Sequence, residues 1–219
     1  AVNAEHYRAL SMLLCLLPYT PLLFMGQEWA TSAPFPYFTD LPGEVGQRMK
    51  EYRWQEFQRS QAGYGEDIFL LMPDPKDETT FQSAKLDWSE RDQPGHASVL
   101  ALYRACLRLR AQEEIFRPTS RKSWSVDTMG GSAVCLRAHA PDGDWLLVCS
   151  IAGTGELHIP AEGLAALNEG RRWETVLDSN SLQFGGAGTV PAEGPGAKQG
   201  LETTIRFAAP GTVLLRERG

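Results

Sequence analysis

Apolar positions in the first part of the chain recur with the 3.6-residue period of helices. Residues 4–17 predict a helix with Asn3 as its N-cap and Pro18 as its stop. Its apolar face is expected to contain Tyr7, Leu10, Leu14 and Leu17. Residues 22–25 (LLFM) are apolar at every position, so they predict a short core strand that is buried on both faces.

Two further helices are predicted, over residues 44–60 and 97–112. The expected inward positions are Val45, Met49 and Tyr52 in the first helix, and Leu102, Cys106 and Leu109 in the second. The expected outward positions of the second helix are Arg104, Arg108 and Arg110. Glycines and prolines interrupt any period over residues 61–95, which are predicted as a loop that packs over a larger body.

A helix that leads into an all-apolar strand is typical of α/β folds with a parallel sheet. Residues 4–25 supply one such unit, and a single buried strand cannot form a sheet. Either the partner strands belong to another chain, or this sequence is the tail of something longer.

After about residue 118 the apolar period changes to two, as in strands with one buried face. Strands are predicted over residues 133–139, 144–151, 156–159, 172–178, 201–207 and 212–218. The tripeptide at 141–143 (PDG) predicts a hairpin turn, and glycine-rich residues 183–200 predict a flexible loop. The fold class is therefore α/β plus all-β, with an antiparallel β-sandwich over residues 119–219 after a first domain over residues 1–118.

Charge and cysteine usage exclude several classes of partner. The net charge of −6 argues against nucleic acid or an anionic membrane, because both repel an acidic surface. The four cysteines lack close pairing or histidine spacing, so buried free thiols are expected, with no metal and no cofactor. Residues 1–8 lack the basic start and the cleavage site of a signal peptide, which makes the cytoplasm the expected location.

Several stretches resemble a known family. Residues 16–29 (LLPYTPLLFMGQEW) resemble the last helix and eighth strand of the (β/α)8 barrel in the α-amylase family of glycoside hydrolases. Residues 35–40 (FPYFTD), 52–57 (YRWQEF) and 73–88 (PDPKDETTFQSAKLDW) are similar to its trehalohydrolase branch, which releases trehalose from maltooligosyl-trehalose. The resemblance covers residues 1–118 by motif and the remainder by architecture, since these enzymes end in a β-sandwich.

The resemblance implies that seven barrel strands precede Ala1, as part of the same enzyme. Retaining hydrolysis in this family uses an aspartate nucleophile, a glutamate acid/base and a second aspartate, held by earlier strands. Their motifs, such as Asn-His-Asp, do not occur in this sequence, so no catalytic residue is assigned to it. Gln27 stands where the family commonly has an acid, which argues against an ionised role at that position.

The resemblance also places residues 26–40 at the C-terminal end of the barrel, where active sites lie. Trp29 and Phe38 are then expected to stack on a glucosyl ring, while Glu28 and Asp40 accept bonds from its hydroxyl groups. The expected partner is maltooligosyl-trehalose or a related α-glucan. Packing roles for the two rings, and a capping, ion-pairing or turn role for the two carboxylates, remain the structural alternatives.

Two other functions stay open. The closer alternative is a sibling enzyme of the same superfamily, a branching enzyme or an α-amylase, which ranks second because residues 35–40 (FPYFTD) are similar to the trehalohydrolase branch. A non-catalytic glucan-binding module would instead present surface rings from residues 119–219, such as Trp124, Trp145 or Trp173. Exposed, coplanar tryptophans would favour the binding module, whereas tryptophans in the sandwich core would favour the enzyme.

Overall fold

The structure is a computed structural model that describes residues 3–60, 73–117, 122–160, 163–167, 170–188 and 202–219. The helices are α1 Ala4–Leu16, α2 Gly43–Ser60, α3 Glu78–Ser83 and α4 Pro94–Gln112. The strands are β1 Trp124–Met129, β2 Ala133–Ala138, β3 Trp145–Ser150, β4 Gly155–Pro160, β5 Arg172–Asp178, β6 Glu202–Phe207 and β7 Gly211–Arg218. Short 3₁₀ turns include Gln27–Trp29, Trp88–Asp92, Glu114–Phe116 and Leu182–Phe184.

The chain forms two compact units. The first, called the sandwich unit, comprises Ala1–Ala30 and Arg91–Gly219; the second, called the insert unit, comprises Thr31–Glu90. The domain boundary predicted near residue 118 lies outside the described residues and stays a prediction.

The sandwich unit contains a five-stranded antiparallel sheet in the order β1-β2-β3-β7-β5. The predicted turn at 141–143 joins β2 to β3, with Gly143 in the left-handed region at φ 123°. Strands β4 and β6 form a separate two-stranded sheet. The predicted strands and hairpin are thus confirmed within one or two residues, while β1 was not predicted because four of its six side chains are exposed and show no alternation.

Both faces of the five-stranded sheet are covered. Alternate positions such as Leu146, Val148 and Leu215 pack with Ile159 and Ile205 of the smaller sheet. The intervening positions face α1 and α4 in a second core whose sheet members include Leu136, Trp145, Leu147 and Leu214. Because side chains alternate between faces along a strand, this arrangement explains why β3 is buried at every position.

Helix α1 begins as predicted, because the Asn3 side chain accepts hydrogen bonds from the backbone N–H groups of Glu5 and His6. Its buried face matches the prediction only in part: Tyr7 and Leu17 pack against the core, but Leu10 is 50% exposed. Met12 and Leu16, which were not predicted to face inward, are fully buried. The helix packs against α4 as well as β3 and β7, so these two neighbours decide which face is covered.

Helix α4 buries Leu102 and Cys106 as predicted, and it packs Leu109 against the same core. Arg104 and Arg108 are exposed, as expected, but Arg110 is not a solvated side chain. Its guanidinium donates to the backbone carbonyls of Cys15, Leu17 and Tyr19 at 3.1, 2.6 and 2.6 Å. It therefore satisfies carbonyls that the end of α1 leaves without helical partners.

The predicted core strand at residues 22–25 is not buried in this chain. Leu22 is 90% exposed, and Phe24 and Met25 are about half exposed at 51% and 49%. No strand pairs with this segment among the described residues, so its backbone lacks the ladder that would make it a strand. Leu23 alone of the four packs against the core beside α1 and α4.

The insert unit corrects two further predictions. Helix α2 exposes Val45 and Tyr52, at 60% and 58%, and Met49 is half-buried, so the predicted apolar face is not covered. Within the predicted loop over 61–95, residues 61–72 lie outside the described residues, and α3 forms after them. Asp77 caps α3 by accepting from the Thr79 backbone N–H at 2.8 Å. Of the glycine-rich loop, residues 189–200 also lie outside the described residues.

The four cysteines are free and buried, as predicted. Burial raises the pKa of the Cys15 thiol to about 11 and that of the Cys135 thiol to about 12. Both thiols are thus protonated near neutral pH and pack as small apolar side chains.

Candidate functional site

Two left-handed residues shape the turn that carries Glu28 and Trp29. Gly26 has φ 82° and Ala30 has φ 53°, on either side of the 3₁₀ turn Gln27–Trp29. Ala30 is the only non-glycine with positive φ among the described residues. An L side chain adopts this conformation at an energetic cost, so the surrounding contacts must hold the turn in place.

Gln27 supplies one of those contacts. Its side-chain oxygen accepts from the Phe24 N–H at 3.0 Å, and its Nε2 donates to the Tyr103 hydroxyl at 2.9 Å. The Tyr103 hydroxyl in turn donates to Ser11 Oγ of α1 at 2.9 Å. An amide both donates and accepts hydrogen bonds, whereas a carboxylate only accepts them. A glutamate at position 27 could therefore not make both of these bonds.

Tyr7 and His96 hold the same turn from α1 and α4. The Tyr7 hydroxyl donates to the Gln27 carbonyl at 2.6 Å, and burial raises the pKa of this phenol, so it remains a donor. His96 Nδ1 lies 2.8 Å from the Trp29 carbonyl, which only accepts, so that nitrogen carries the proton. Two helices thus fix the backbone on both sides of Glu28.

Glu28 itself is half-buried. Its Oε2 is inaccessible to solvent and has no hydrogen-bond partner among the described residues. A buried acceptor without a donor is costly, so this oxygen offers a site for a donor that the described residues do not supply. The role of Glu28 in accepting bonds from sugar hydroxyl groups stays a prediction.

Trp29 is only 2% exposed. Stacking on a sugar requires an accessible ring face, which this structure does not offer. The burial therefore favours the packing alternative for Trp29, with the ring anchoring the turn that presents Glu28.

Phe38 and Asp40 lie in the insert unit, whereas Glu28 and Trp29 lie in the sandwich unit, so each pair is described by itself. Phe38 is half-buried and meets Phe35 and Phe81 edge to face, with ring centroids 5.9 and 5.2 Å apart. Such pairs fix ring orientation. Asp40 is exposed and available to solvent.

Glu90, which sequence reasoning missed, is a buried carboxylate that links the two ends of the insert unit. Glu90 is 9% exposed and accepts from the Thr31 hydroxyl at 2.8 Å and from the Ser32 backbone N–H at 3.2 Å. These residues are the two ends of the unit, so one carboxylate joins its first and last residues. No periodicity or motif singles out this glutamate in the sequence, because its partners lie 58 and 59 positions away.

We expect Glu90→Ala to speed hydrogen exchange of the Ser32 amide by about tenfold to a hundredfold. A hydrogen bond to a charged acceptor contributes about 1.5–3 kcal/mol, and about 1.4 kcal/mol corresponds to a factor of ten. Exchange read by mass spectrometry or NMR measures the effect. Glu78→Gln alters a carboxylate bonded to Gln82 on the surface and should leave the Ser32 amide unchanged. Equal exchange in wild type and Glu90→Ala would remove this role from Glu90.

The tryptophans of the sandwich do not form a binding surface. Trp145 and Trp173 are 1% and 4% exposed. Trp124 is half-buried and donates its indole N–H to the Ile115 carbonyl at 2.9 Å. These three side chains therefore do not provide the exposed, coplanar tryptophans that would favour a glucan-binding module.

Two general properties bear on partners. Across the described ranges, no three His, Cys, Asp or Glu side chains are grouped so as to hold a metal ion. Of the helices in the described part of the chain, none combines the length and apolar character that a bilayer span requires.

Comparison with curated proteins finds relatives that share the same name. The chain is 41% identical over 155 residues to malto-oligosyltrehalose trehalohydrolase of Deinococcus radiodurans, which covers 71% of this chain and 23% of that protein. It is 32% identical over 190 residues to the enzyme of the same name from Arthrobacter ramosus, covering 86% of this chain and 29% of that protein. The chain thus spans about a quarter of the length of these relatives. No family model matches it.

Comparison with solved structures finds α-amylase-type folds. A protein of Salmonella typhimurium named as an α-amylase superposes with a TM-score of 0.68 at 24% identity, over 98% of this chain and 31% of its own. Trehalose-6-phosphate hydrolase of Bacillus licheniformis superposes with a TM-score of 0.54 at 12% identity, over 98% of this chain and 39% of its own. The expected fold class and the resemblance to trehalohydrolases of the α-amylase family are confirmed.

Proposed function

We propose that this chain is the C-terminal part of a glycoside hydrolase that releases trehalose from maltooligosyl-trehalose by cleaving the adjacent α-1,4 glucosidic bond. The observation that carries the proposal is the 41% identity over 155 residues to a malto-oligosyltrehalose trehalohydrolase. The proposed enzyme acts in trehalose formation, and the cytoplasm is its proposed location.

The hydrolysis uses carboxylates that residues 1–219 do not supply. A retaining glycosidase needs a nucleophile and an acid/base about 5–5.5 Å apart. In this proposal they lie in the N-terminal barrel portion of the same enzyme, which also covers the exposed apolar segment at 22–25. The exposure of residues 22–25 supports the proposal, because a barrel strand is buried only when neighbouring strands pair with it.

This chain contributes to substrate binding. Asp40 presents an exposed carboxylate and Glu28 a half-buried one, and both accept bonds from sugar hydroxyl groups. Phe38, held edge to face by its neighbours, offers apolar surface to a glucosyl ring. Trp29 supports the position of Glu28 by anchoring the turn that carries both residues.

A second candidate is another enzyme of the α-amylase family, a branching enzyme or an amylase. The observation that favours it is the TM-score of 0.68 to a protein named as an α-amylase. A likeness of fold does not fix the reaction, because one fold hosts many activities.

Product analysis separates the candidates. We expect the full-length enzyme, purified from its source, to have an intact mass well above 24.2 kDa and to release trehalose from maltooligosyl-trehalose. Release of maltose from ordinary maltooligosaccharides, without trehalose, would identify an amylase, and new α-1,6 branches would identify a branching enzyme. A 24.2 kDa protein that retains activity would return the catalytic role to carboxylates of this chain, beginning with Glu28 and Asp40.

A further inference from the structure

A cleft of about 380 Å³ lies within the insert unit, and none of the four residues singled out by sequence lines it. Pro36 and Tyr37 form one wall, Pro73 and Pro75 form a second, and the face of α2 around Arg53 and Glu56 forms the third. Its volume is near the lower end of the range of about 300–1,000 Å³ that is usual for small-molecule sites. The cleft therefore suits one small ligand or one unit of a longer one.

Two contacts brace the walls of the cleft. Lys50 of α2 forms an ion pair with Asp74 at 2.5 Å, which ties the helix to the Pro73–Pro75 wall. The Thr39 backbone N–H donates to the Pro75 carbonyl at 2.8 Å, which ties the wall containing Tyr37 to the same segment. The hydrogen bond from Lys50 lowers the pKa of Asp74, so the brace persists at neutral pH. A cleft held in this way is formed before a ligand arrives, which reduces the ordering cost of binding.

The polar groups in the cleft carry balanced charge. Arg53 Nη1 bonds Glu56 Oε2 at 2.6 Å, and the guanidinium lies 4.5 Å from the centre of the Tyr37 ring. A guanidinium has five N–H donors, and a single carboxylate oxygen cannot accept hydrogen bonds from all of them. Arg53 therefore keeps donors for a ligand. Because the positive and negative groups neutralise each other, the pair favours a neutral ligand with many hydroxyl groups over an anion or a cation.

We propose that this cleft binds a glucosyl unit of a neutral α-glucan, with Arg53 and Glu56 bonding its hydroxyl groups. Proline and tyrosine walls contact the apolar C–H faces of the sugar, which is the usual division of labour in a saccharide site. The inference deepens the proposed function, since the glucan is the substrate class named there. It assigns substrate contact to two residues of the 52–57 motif (YRWQEF), to which the resemblance gives no role.

The test uses the full-length enzyme and its Arg53→Ala variant. We expect Arg53→Ala to weaken maltotetraose binding about tenfold in titration calorimetry, and to raise KM for maltooligosyl-trehalose similarly with kcat little changed. Arg48→Ala is the matched control, because Arg48 lies on the same helix in an exposed 3.6 Å pair with Glu44. It should bind maltotetraose like wild type.

Further variants guard against an effect on folding. Arg53→Lys keeps the positive charge but loses the planar fork, so it should also weaken binding while Tm matches wild type. Wild-type affinity in both Arg53 variants would overturn the cleft assignment even if the enzyme releases trehalose. Loss of binding in the Arg53 variants, in an enzyme that releases no trehalose, would instead retain the glucan site and reject the proposed reaction.

Discussion

Trp145→Ala should lower the free energy of unfolding of the chain by about 3–5 kcal/mol, the usual cost of removing a buried large aromatic ring. Trp145 begins β3 and is 1% exposed, in the core between the five-stranded sheet and the helices. The Phe116 ring meets it edge to face at 5.4 Å, and the Arg216 guanidinium lies 4.6 Å from its centre. Removing the indole would leave a cavity and deprive both neighbours of a partner.

Urea denaturation followed by far-UV circular dichroism measures this loss without depending on tryptophan fluorescence. The matched control is Val126→Ala on β1, where the side chain is 65% exposed, and its effect should stay within about 0.5 kcal/mol. The same core holds α1 and α4, so Trp145→Ala should also loosen the turn that carries Glu28. A loss below about 1 kcal/mol would contradict the proposed packing role.

Arg137→Leu is expected to cost about 3–5 kcal/mol, because it leaves a buried charge without its partner. Arg137 is 7% exposed, and its Nε donates to Asp144 Oδ2 at 2.8 Å. Its Nη1 also donates to the carbonyls of Gly163 and Leu164 at 3.2 and 3.1 Å. One guanidinium therefore joins the β2–β3 hairpin to the segment after β4.

The exposed pair of Arg206 and Glu156, at 2.8 Å in the same sandwich, supplies the control. Arg206→Ala should cost at most about 1 kcal/mol, since exposed ion pairs contribute little. The double variant Arg137→Leu/Asp144→Leu should recover part of the loss, because neither charge is then left alone. Equal losses in Arg137→Leu and Arg206→Ala would show that burial adds nothing here.

Acidification offers a second readout of the same pair. Burial acts to raise the pKa of Asp144, but hydrogen bonds from Arg137 and the Ala140 N–H, with the Arg137 charge and His139, outweigh it and lower the pKa. A carboxyl whose folded pKa is lowered stabilises the fold above its unfolded pKa of about 3.9, and this contribution is lost as pH falls through the folded pKa. The wild type should lose this stability on acidification, and Arg137→Leu should lose less.

The sequence predicted elements well wherever one physical rule decided them. The cap at Asn3, the turn at 141–143 and the six predicted strands follow from local chemistry, and they appear within one or two residues. The sequence predicted less well which face of a helix is buried. Leu10 and Tyr52 have the correct helical spacing but are about half exposed, because the neighbours of a helix decide which face is covered.

For the candidate site as well, the sequence identified residues and the structure decided their surroundings. Glu28, Trp29, Phe38 and Asp40 were found from residue type and family resemblance, and their roles in binding stay proposals. Burial separated Trp29, which is covered, from Asp40, which is exposed. The contacts of Glu90 and the brace between Lys50 and Asp74 join residues distant in sequence, so no local pattern could reveal them.

The sequence by itself determined helices α1, α2 and α4, the six strands β2 to β7, the buried free thiols and the resemblance to an α-amylase-family enzyme. Those properties depend on residue type and spacing, which are read along the chain. Tertiary structure alone decided that Gln27 is a donor and an acceptor in a closed network, and that Arg53 and Glu56 face a braced cleft. Hydrogen bonding and burial depend on what lies opposite a side chain, and folding brings those partners from far along the chain.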